Sequence, residues 1–236
     1  MRRLITALAV TLVAAALPST VAADGIEIRA GAFFPRAGTG HVEPCTSACD
    51  IFQDAAALYT ADKKGWTGAT GGLEFDLRLS HNVELGFHVD GYTRKRDTHY
   101  LDYTHSDGSE IQQTLELTEV PMGVSLRLLP LGARAPISPY VTVGADLVLW
   151  KYSEFGEFID FSTAGKPIGT ADFRADGVAP GAHVAAGVRV PLNYDFALTA
   201  EARYLWASQK DMGGDFSAFK IDLTGASATV GLNVRF

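Results

Sequence analysis

Apolar and polar residues alternate with a period of two through most of this chain, and this alternation restricts the fold more than any other feature. In the segment GGLEFDLRLS, for example, Leu73 and Phe75 flank Glu74, and the pattern continues to Leu79. Since successive side chains of a β-strand point to opposite faces, each such segment predicts a strand with one apolar face. Eight segments show the pattern: residues 25–35, 71–80, 83–92, 122–128, 141–149, 184–190, 196–204 and 226–236.

The first residues have the form of an export signal. Arg2 and Arg3 precede an apolar run over residues 4–17, and small residues lead up to Ala23. This order is typical of a cleaved secretory signal peptide, here residues 1–23, which leaves residues 24–236 as one mature domain. An uncleaved anchor is the alternative, but the run is shorter than the roughly 20 residues of a membrane-spanning helix. A mature chain that stays in a membrane must therefore cross it with strands.

The charge of the mature chain and its cysteine content limit the classes of partner and of site that it can have. Without the two leader arginines, 18 basic and 27 acidic residues leave a formal charge of -9, which disfavours nucleic acid as a partner. Cys45 and Cys49 are the only cysteines, and an oxidising compartment favours a local disulfide between them. Metal binding is the alternative, but His41 is the only imidazole nearby. We expect no metal and no cofactor.

The connections between the predicted strands alternate in length. Short connections lie at residues 80–82, 129–136 and 192–195, and long ones at 35–65, 93–113, 152–180 and 207–223. Membrane barrels have short periplasmic turns and long extracellular loops. A soluble barrel would instead place its apolar face inside and its charges outside. The sequence therefore predicts an all-β, eight-stranded antiparallel transmembrane β-barrel with short periplasmic turns and long extracellular loops.

The polar faces of the predicted strands carry charges of both signs. Four strands, which should run toward the periplasm, end in an apolar-Arg-apolar triplet. The strands that run the opposite way supply carboxylates on the inward face. Buried charges need partners, and an eight-stranded barrel is just wide enough for its own side chains, so an interior ion-pair network should plug the lumen. A charge-lined aqueous pore is the alternative. The predicted network comprises Glu27, Arg78, Glu84, Arg127, Arg189, Glu201, Arg203 and Arg235.

Two inward histidines, His88 and His183, are interpreted as packing partners rather than ligands. Basic residues also gather about ten residues above each periplasmic turn, together with aromatic residues of the kind that mark membrane interfaces. These cations could meet lipopolysaccharide phosphates or be solvated loop charges. They are Lys63, Lys64, Arg94, Lys95, Arg96 and Lys151, and the aromatic residues are Phe33, Trp66, Tyr92, Trp150, Tyr204 and Trp206.

Two loops show local patterns. Asp107-Gly108 is a hairpin signal, so the third and fourth strands should continue beyond the membrane. Histidines and aspartates near this turn have no fixed ligand spacing and are weak metal candidates. The first loop contains SACDIFQDAAALYTAD, which predicts a short helix with Ser47 as a cap.

The chain resembles the small outer-membrane β-barrel families of the OmpA transmembrane domain, OmpX and OmpW type. The segments VGLNVRF, PYVTVGADL and FALTAEARYLW carry the resemblance. It implies location in the cell outer membrane, and recognition of the terminal Phe236 by the barrel-assembly machinery. The expected partners are this machinery and outer-membrane lipids including lipopolysaccharide, and we expect a monomer.

Three functions compete. The charge-filled lumen favours a closed barrel that is structural or displays loops for surface interactions. Val148 and Trp150, predicted to face inward near the outer mouth, would suit an OmpW-like carrier of small hydrophobic molecules. An enzyme acting on lipid A would need a nucleophile and base facing the outer leaflet. Ser80-His81 lies in a periplasmic turn and His105-Ser106 at a loop tip, so the sequence predicts no enzyme.

Overall fold

The computed structural model describes residues 25–36, 49–61, 63–132 and 135–236. The predicted signal peptide lies outside these residues, so its cleavage stays a prediction. The strands are β1 Gly25–Pro35, β2 Gly68–Arg78, β3 Val83–Thr104, β4 Glu110–Leu128, β5 Ser138–Ile159, β6 Ile168–Pro191, β7 Phe196–Gln209, β8 Ile221–Asp222 and β9 Gly225–Arg235. Helix α1 spans Ile51–Leu58, and short 3-10 helices span Lys63–Trp66 and Gly214–Phe216.

Eight of these strands form a closed ring. Each pairs in antiparallel fashion with the next, and β9 pairs with both β7 and β1, so that Ile28 lies opposite Leu232 at the closing seam. The ninth strand, β8, adds only two residues beside the outer end of β7. The predicted eight-stranded antiparallel barrel is confirmed, and closure leaves the main ring without an unpaired edge.

The two faces of the barrel wall have opposite polarity in its lower part, near the short turns. Outward side chains such as Val143 and Val230 are apolar and exposed, whereas inward Glu74 and Arg127 are buried. A continuous exposed apolar surface of this kind is unusual for a protein in water and is what a lipid-facing wall requires. None of the helices in the described residues is both long and apolar enough to cross a membrane.

The polarity of the wall inverts above the level of Tyr92 and Trp150. In β4, Leu115 and Leu117 point inward and are completely buried, while Glu116 between them lies on the outer side and is only partly covered. Apolar inside and polar outside is the arrangement of a barrel in water. The upper barrel is therefore an extracellular extension that has a core of its own.

This inversion explains an error in the predicted loops. A long connection was predicted over residues 152–180, but β5 continues to Ile159 and β6 starts at Ile168. The alternation continues through these extensions, but there the apolar residues face the interior. A strand pattern defined by outward apolar residues therefore stops before the strands end. The predicted hairpin between the third and fourth strands does form, with Gly108 in the left-handed region at φ 85°. The predicted cap Ser47 is wrong, since Asp50 caps α1 by accepting the Phe52 N–H at 3.0 Å.

The short turns are held by side-chain amides. Asn82 Nδ2 donates to the carbonyl oxygen of Leu129 at 2.7 Å, which joins the first short turn to the second. In the third turn, Asn193 Oδ1 accepts from the N–H groups of Asp195 and Phe196. Such Asx bonds fix tight turns, and the lower rim is consequently well defined.

The outward face of β5 provides a test of the lipid-facing wall. We expect Val143→Arg to lower the free energy of unfolding in lipid vesicles by about 2–4 kcal/mol, because it places a charge near the middle of the hydrocarbon. Urea titration followed by tryptophan fluorescence measures this change. Leu131→Arg, in an exposed position of a short turn, is the matched control and should change little. Equal effects of the two substitutions would contradict the assignment of the outward face to lipid.

Candidate functional site

The lower lumen contains a connected set of buried charges, here called the lumen network. Arg29, on β1, forms a bidentate pair with Asp90, with nitrogen-oxygen distances of 2.8 and 2.6 Å. Its third contact is an ion pair with Glu74, a residue with no solvent exposure. Bidentate pairs of this kind are directional as well as strong, so Arg29 joins β1 to both β2 and β3.

A second arginine lies nearer the periplasmic end. Arg127 donates to Asp76 at 2.8 Å and to Glu74 at 2.7 Å, and its guanidinium carbon lies 4.6 Å from the centre of the Tyr140 ring. Arg189 donates to Glu84 at 3.0 Å and to Asp76 at 3.1 Å. Asp76 is thus shared between the arginines of β4 and β6.

The network extends across the lumen to β7 and β9. Arg203 pairs with both Asp90 and Glu201 at 3.0 Å, and Tyr140 donates its hydroxyl to Glu201 at 3.1 Å. Asn233 Nδ2 adds a hydrogen bond to Asp76 at 3.0 Å. The side chains that fill the lumen therefore bond to one another.

The structure brings five of the predicted network residues into ion pairs: Glu84, Arg127, Arg189, Glu201 and Arg203. Glu27 is buried, but its Oε2 has no hydrogen-bond partner among the described residues. Arg78 is the cross-strand neighbour of Glu84. Two guanidinium nitrogens of Arg235 are buried without a hydrogen-bond partner in the described part of the chain.

Sequence reasoning missed the centre of the network. Glu74, Asp76, Arg29 and Asp90 all have inward parity, so the signal was present in the alternation. The prediction took the arginines from the strands that run toward the periplasm and the carboxylates from the strands that run the opposite way. β2 runs toward the periplasm and ends in Arg78, yet it also supplies Glu74 and Asp76. The described lumen carries eight carboxylates and six guanidiniums: Glu27, Glu74, Asp76, Glu84, Asp90, Glu119, Asp146 and Glu201, with Arg29, Arg78, Arg127, Arg189, Arg203 and Arg235.

Above the lumen network lies an apolar cluster, here called the outer core, which fills the extracellular half of the barrel. Helix α1 contributes Ile51, Phe52 and Ala55, all buried. The Phe52 ring packs edge-to-face on Trp66 and on Tyr152, with centroid distances of 5.2 and 6.1 Å. The described part of the first loop that forms α1 therefore packs into the outer mouth.

Backbone hydrogen bonds hold α1 in this position. Ile51 N–H donates to the Lys220 carbonyl at 3.0 Å, and Lys220 N–H donates to the Cys49 carbonyl at 2.9 Å. Cys49 is disulfide-bonded. Its predicted partner Cys45 lies outside the described residues, so the pairing stays a prediction.

The predicted basic residues occupy different environments. Arg94 donates to the Gly65 carbonyl at 3.0 Å and Arg96 to the Thr60 carbonyl at 3.3 Å, so both hold the first loop. Lys95 points outward and pairs with Glu116 at 3.4 Å. Lys64 and Lys151 are exposed, and the Lys63 side chain lies outside the described part of the chain. Contact with lipopolysaccharide stays a prediction for these residues.

The aromatic residues expected at the membrane interface fall into two groups. Tyr204 and Trp206 lie on the outer face of β7 as an edge-to-face pair with centroids 4.8 Å apart. The other four are buried in the outer core; they are Phe33, Trp66, Tyr92 and Trp150. For the three on strands, the inversion of the wall turns their side of the strand toward an apolar interior, whereas Trp66 ends the 3-10 helix that precedes β2. Phe236 is exposed at the lower rim, and its role in assembly stays a prediction.

Two buried carboxyl groups lie in the outer core, outside the membrane-spanning segments. Burial raises the pKa of Glu154 to about 7, although Tyr152 donates a hydrogen bond to it at 2.7 Å. Burial likewise raises the pKa of Asp50 to about 6, against the effect of the Phe52 N–H. Both shifts arise because an ionised carboxylate loses hydration when α1 is docked.

Between the lumen network and the outer core lies a small cavity of about 40 Å³. Arg29, Arg203, Asp146, Glu119 and Tyr92 are among its lining residues. It has room for about three water molecules. Next to it, His88 Nε2 lies 2.9 Å from Asp146 Oδ1, and His183 Nδ1 lies 2.7 Å from Asp146 Oδ2. These three buried residues are here called the His–Asp–His cluster.

Comparison with known proteins gives one family and several similar structures. A family model described as "Outer membrane protein beta-barrel domain" matches residues 5–236. A search of curated protein sequences found no significant match. The crystal structure of OprG from Pseudomonas aeruginosa aligns with a TM-score of 0.51 and 12% identity over 91% of this chain and 96% of that chain.

Two further structures align over similar lengths. Neisserial surface protein A gives a TM-score of 0.46 with 15% identity, covering 90% of this chain and 96% of its own. Outer membrane protein W of Escherichia coli gives 0.38 with 16% identity, covering 91% and 98%. At these identities the likeness concerns the fold alone.

The shared carboxylates of the lumen make one arginine critical. We expect Arg127→Met to lower the free energy of unfolding by roughly 3–5 kcal/mol, because it leaves Glu74 and Asp76 buried with too few partners. Urea titration in detergent measures the change. Arg174→Met, which removes an exposed pair with Asp172, is the control and should have no measurable effect. A small effect of Arg127→Met would mean that water enters the lumen freely.

The raised carboxyl pKa values predict how docking of α1 depends on pH. Since the docked state disfavours the ionised forms, docking is strongest below about pH 4, near the ordinary pKa values, and is weakened as the pH rises through 6 and 7. The thermal midpoint followed by tryptophan fluorescence should therefore be higher at pH 5 than at pH 8. Glu154→Gln should reduce this difference, whereas Glu116→Gln on the outer face should not. A higher midpoint at pH 8 would contradict the assignment.

Proposed function

Because this chain belongs to the family of outer membrane protein β-barrel domains and is located in the cell outer membrane, we propose that it is a closed barrel. In this proposal it carries no steady flow of ions or solutes, and it holds a rigid extracellular extension that interacts with partners at the cell surface. The observation that carries the proposal is the pair of consecutive seals in one barrel. One seal is the lumen network, and the other is the outer core with α1.

The lower seal is electrostatic. A continuous water path would have to pass Glu74 and Arg127, which are almost completely buried and bonded to each other at 2.7 Å. Opening the path requires separating several such pairs at once. Removing one member of a buried pair already costs about 3–5 kcal/mol, so an open state would be rarely populated.

The upper seal is an argument against a carrier of small hydrophobic molecules. Val148 and Trp150 do point inward, as an apolar vestibule would require, but they belong to the same buried cluster as Ile51 and Phe52 of α1. A hydrophobic solute could reach them only after α1 had left the outer mouth. The closed barrel therefore explains these residues with fewer rearrangements than the OmpW-like carrier does.

The extracellular extension has the rigidity expected of a binding platform. Gln113 Nε2 donates to the Glu157 carbonyl at 2.7 Å, and His105 lies 2.9 Å from the Glu157 carboxylate, so the β3–β4 and β5–β6 hairpins are joined. At their tips the Tyr103 and Phe161 rings pack edge-to-face with centroids 5.4 Å apart. Phe161 is exposed and Tyr103 is half-buried, and aromatic side chains held on a rigid scaffold lose little entropy on binding.

Conductance across a planar bilayer tests the closed barrel. We expect no steady current from the mature protein, and none from a variant lacking residues 50–59, because the lumen network seals the barrel by itself. A variant that combines this deletion with Arg29→Ala and Arg127→Ala should give openings. A large stable current from the unaltered protein would overturn the proposal.

Uptake into liposomes distinguishes the carrier alternative. We expect a labelled hydrophobic compound to enter liposomes that contain the protein no faster than empty liposomes. Faster uptake that is lost in Val148→Asp but retained in the outer-face variant Val178→Asp would favour the carrier instead.

A further inference from the structure

We propose that the His–Asp–His cluster binds one divalent transition-metal ion, such as Zn²⁺, inside the barrel. The ligands would be His88 from β3, Asp146 from β5 and His183 from β6. Two imidazoles and one carboxylate form a donor set that suits zinc and its neighbours in the first transition row. This site is independent of whether the barrel is closed.

The ligand atoms are already near one another. One atom from each of the three residues lies within 4.8 Å of the other two. Zinc bonds to nitrogen and oxygen at about 2.0–2.2 Å, so tetrahedral ligands lie roughly 3.3 Å apart. A contraction of up to about 1.5 Å would bring the three atoms into range.

The barrel wall is shaped to admit these side chains. A Cβ on Gly123 would lie 2.8 Å from Asp146 Oδ1, and a Cβ on Gly144 would lie 2.8 Å from His183 Nε2. Only glycine leaves space at these two inward positions. The missing side chain at Gly123 allows Asp146 to reach across β4 toward His88.

Among the described residues, the two imidazoles of the cluster also have unused hydrogen-bonding capacity. Each imidazole directs one ring nitrogen to Asp146, and the other nitrogen, Nδ1 of His88 or Nε2 of His183, is buried without a hydrogen-bond partner in the described residues. Buried polar atoms without partners are uncommon. A metal ion that accepts one lone pair from each imidazole, with Asp146 as the third ligand, would use the donor atoms of this cluster.

The charge of the lumen favours a cation at this point. Near His88, Arg203 opposes a cation, whereas Asp90 and Glu74 favour it. Since a charge in a water-poor lumen needs compensation, these two carboxylates add to the donor set as a reason for binding.

Metal titration tests the site. The mature protein is refolded in detergent with a chelator, dialysed, and then refolded again with Co²⁺ so that the closed barrel does not block entry. We expect one equivalent of Co²⁺ to bind, with visible absorption bands of a site that has nitrogen ligands, and Zn²⁺ to displace it. His183→Gln and Asp146→Asn should each weaken binding by at least tenfold. His105→Gln, at a loop tip, is the matched control and should bind as the unaltered protein does.

Two further measurements distinguish loss of the metal site from loss of folding. Circular dichroism checks that each variant has folded, and zinc-edge X-ray absorption of the unaltered protein reports two imidazole ligands without any substitution. Absence of a bound ion in the unaltered protein would overturn the proposal and leave a hydrogen-bonded triad. Binding that is unchanged in His183→Gln and Asp146→Asn, or a spectrum with oxygen ligands only, would overturn it as well.

Discussion

The structure depends on the compensation of charges that have no bulk water around them. Glu74 is the clearest case, because it is fully buried and lies within ion-pair distance of Arg29, Arg127 and Arg203. These four residues come from β2, β1, β4 and β7, so one carboxylate joins half of the barrel strands. A soluble domain would place an apolar core at this point. Here the apolar side chains are needed outside, and the interior is held together by ionic hydrogen bonds instead.

The inversion of the wall divides the barrel into two parts with different solvents. Below Tyr92 and Trp150 the strands have apolar residues outside and charges inside, and above this level the order is reversed. The reversal needs no break in any strand. It is sufficient that the apolar residues move from the outward-facing positions of a strand to the inward-facing ones. Two kinds of interior therefore lie in series along the same hydrogen-bonded strands, and α1 completes the upper one.

The sequence was sufficient for the parts of the fold that depend on local alternation. The eight wall strands follow from it, as do the short turns and the inward direction of Arg127 or Glu84. Contacts between side chains of different strands do not, since Arg29 and Asp90 lie far apart in the chain and meet only because both are paired with Gly72 of the strand between them. The β5 and β6 extensions were missed because the apolar parity changed, and α1 was placed by contacts with Lys220 that no local pattern indicates.

The pairing of β1 with β9 has a consequence for biogenesis. The earliest strand of the barrel to leave the ribosome finds one of its two neighbours only in the last, so nearly the whole polypeptide must be handled before the seam can form. Until then two rows of peptide groups lack partners, and hydrocarbon cannot hydrate them. Insertion should accordingly be concerted, with an assembly factor or the membrane surface shielding both free edges until the ring closes.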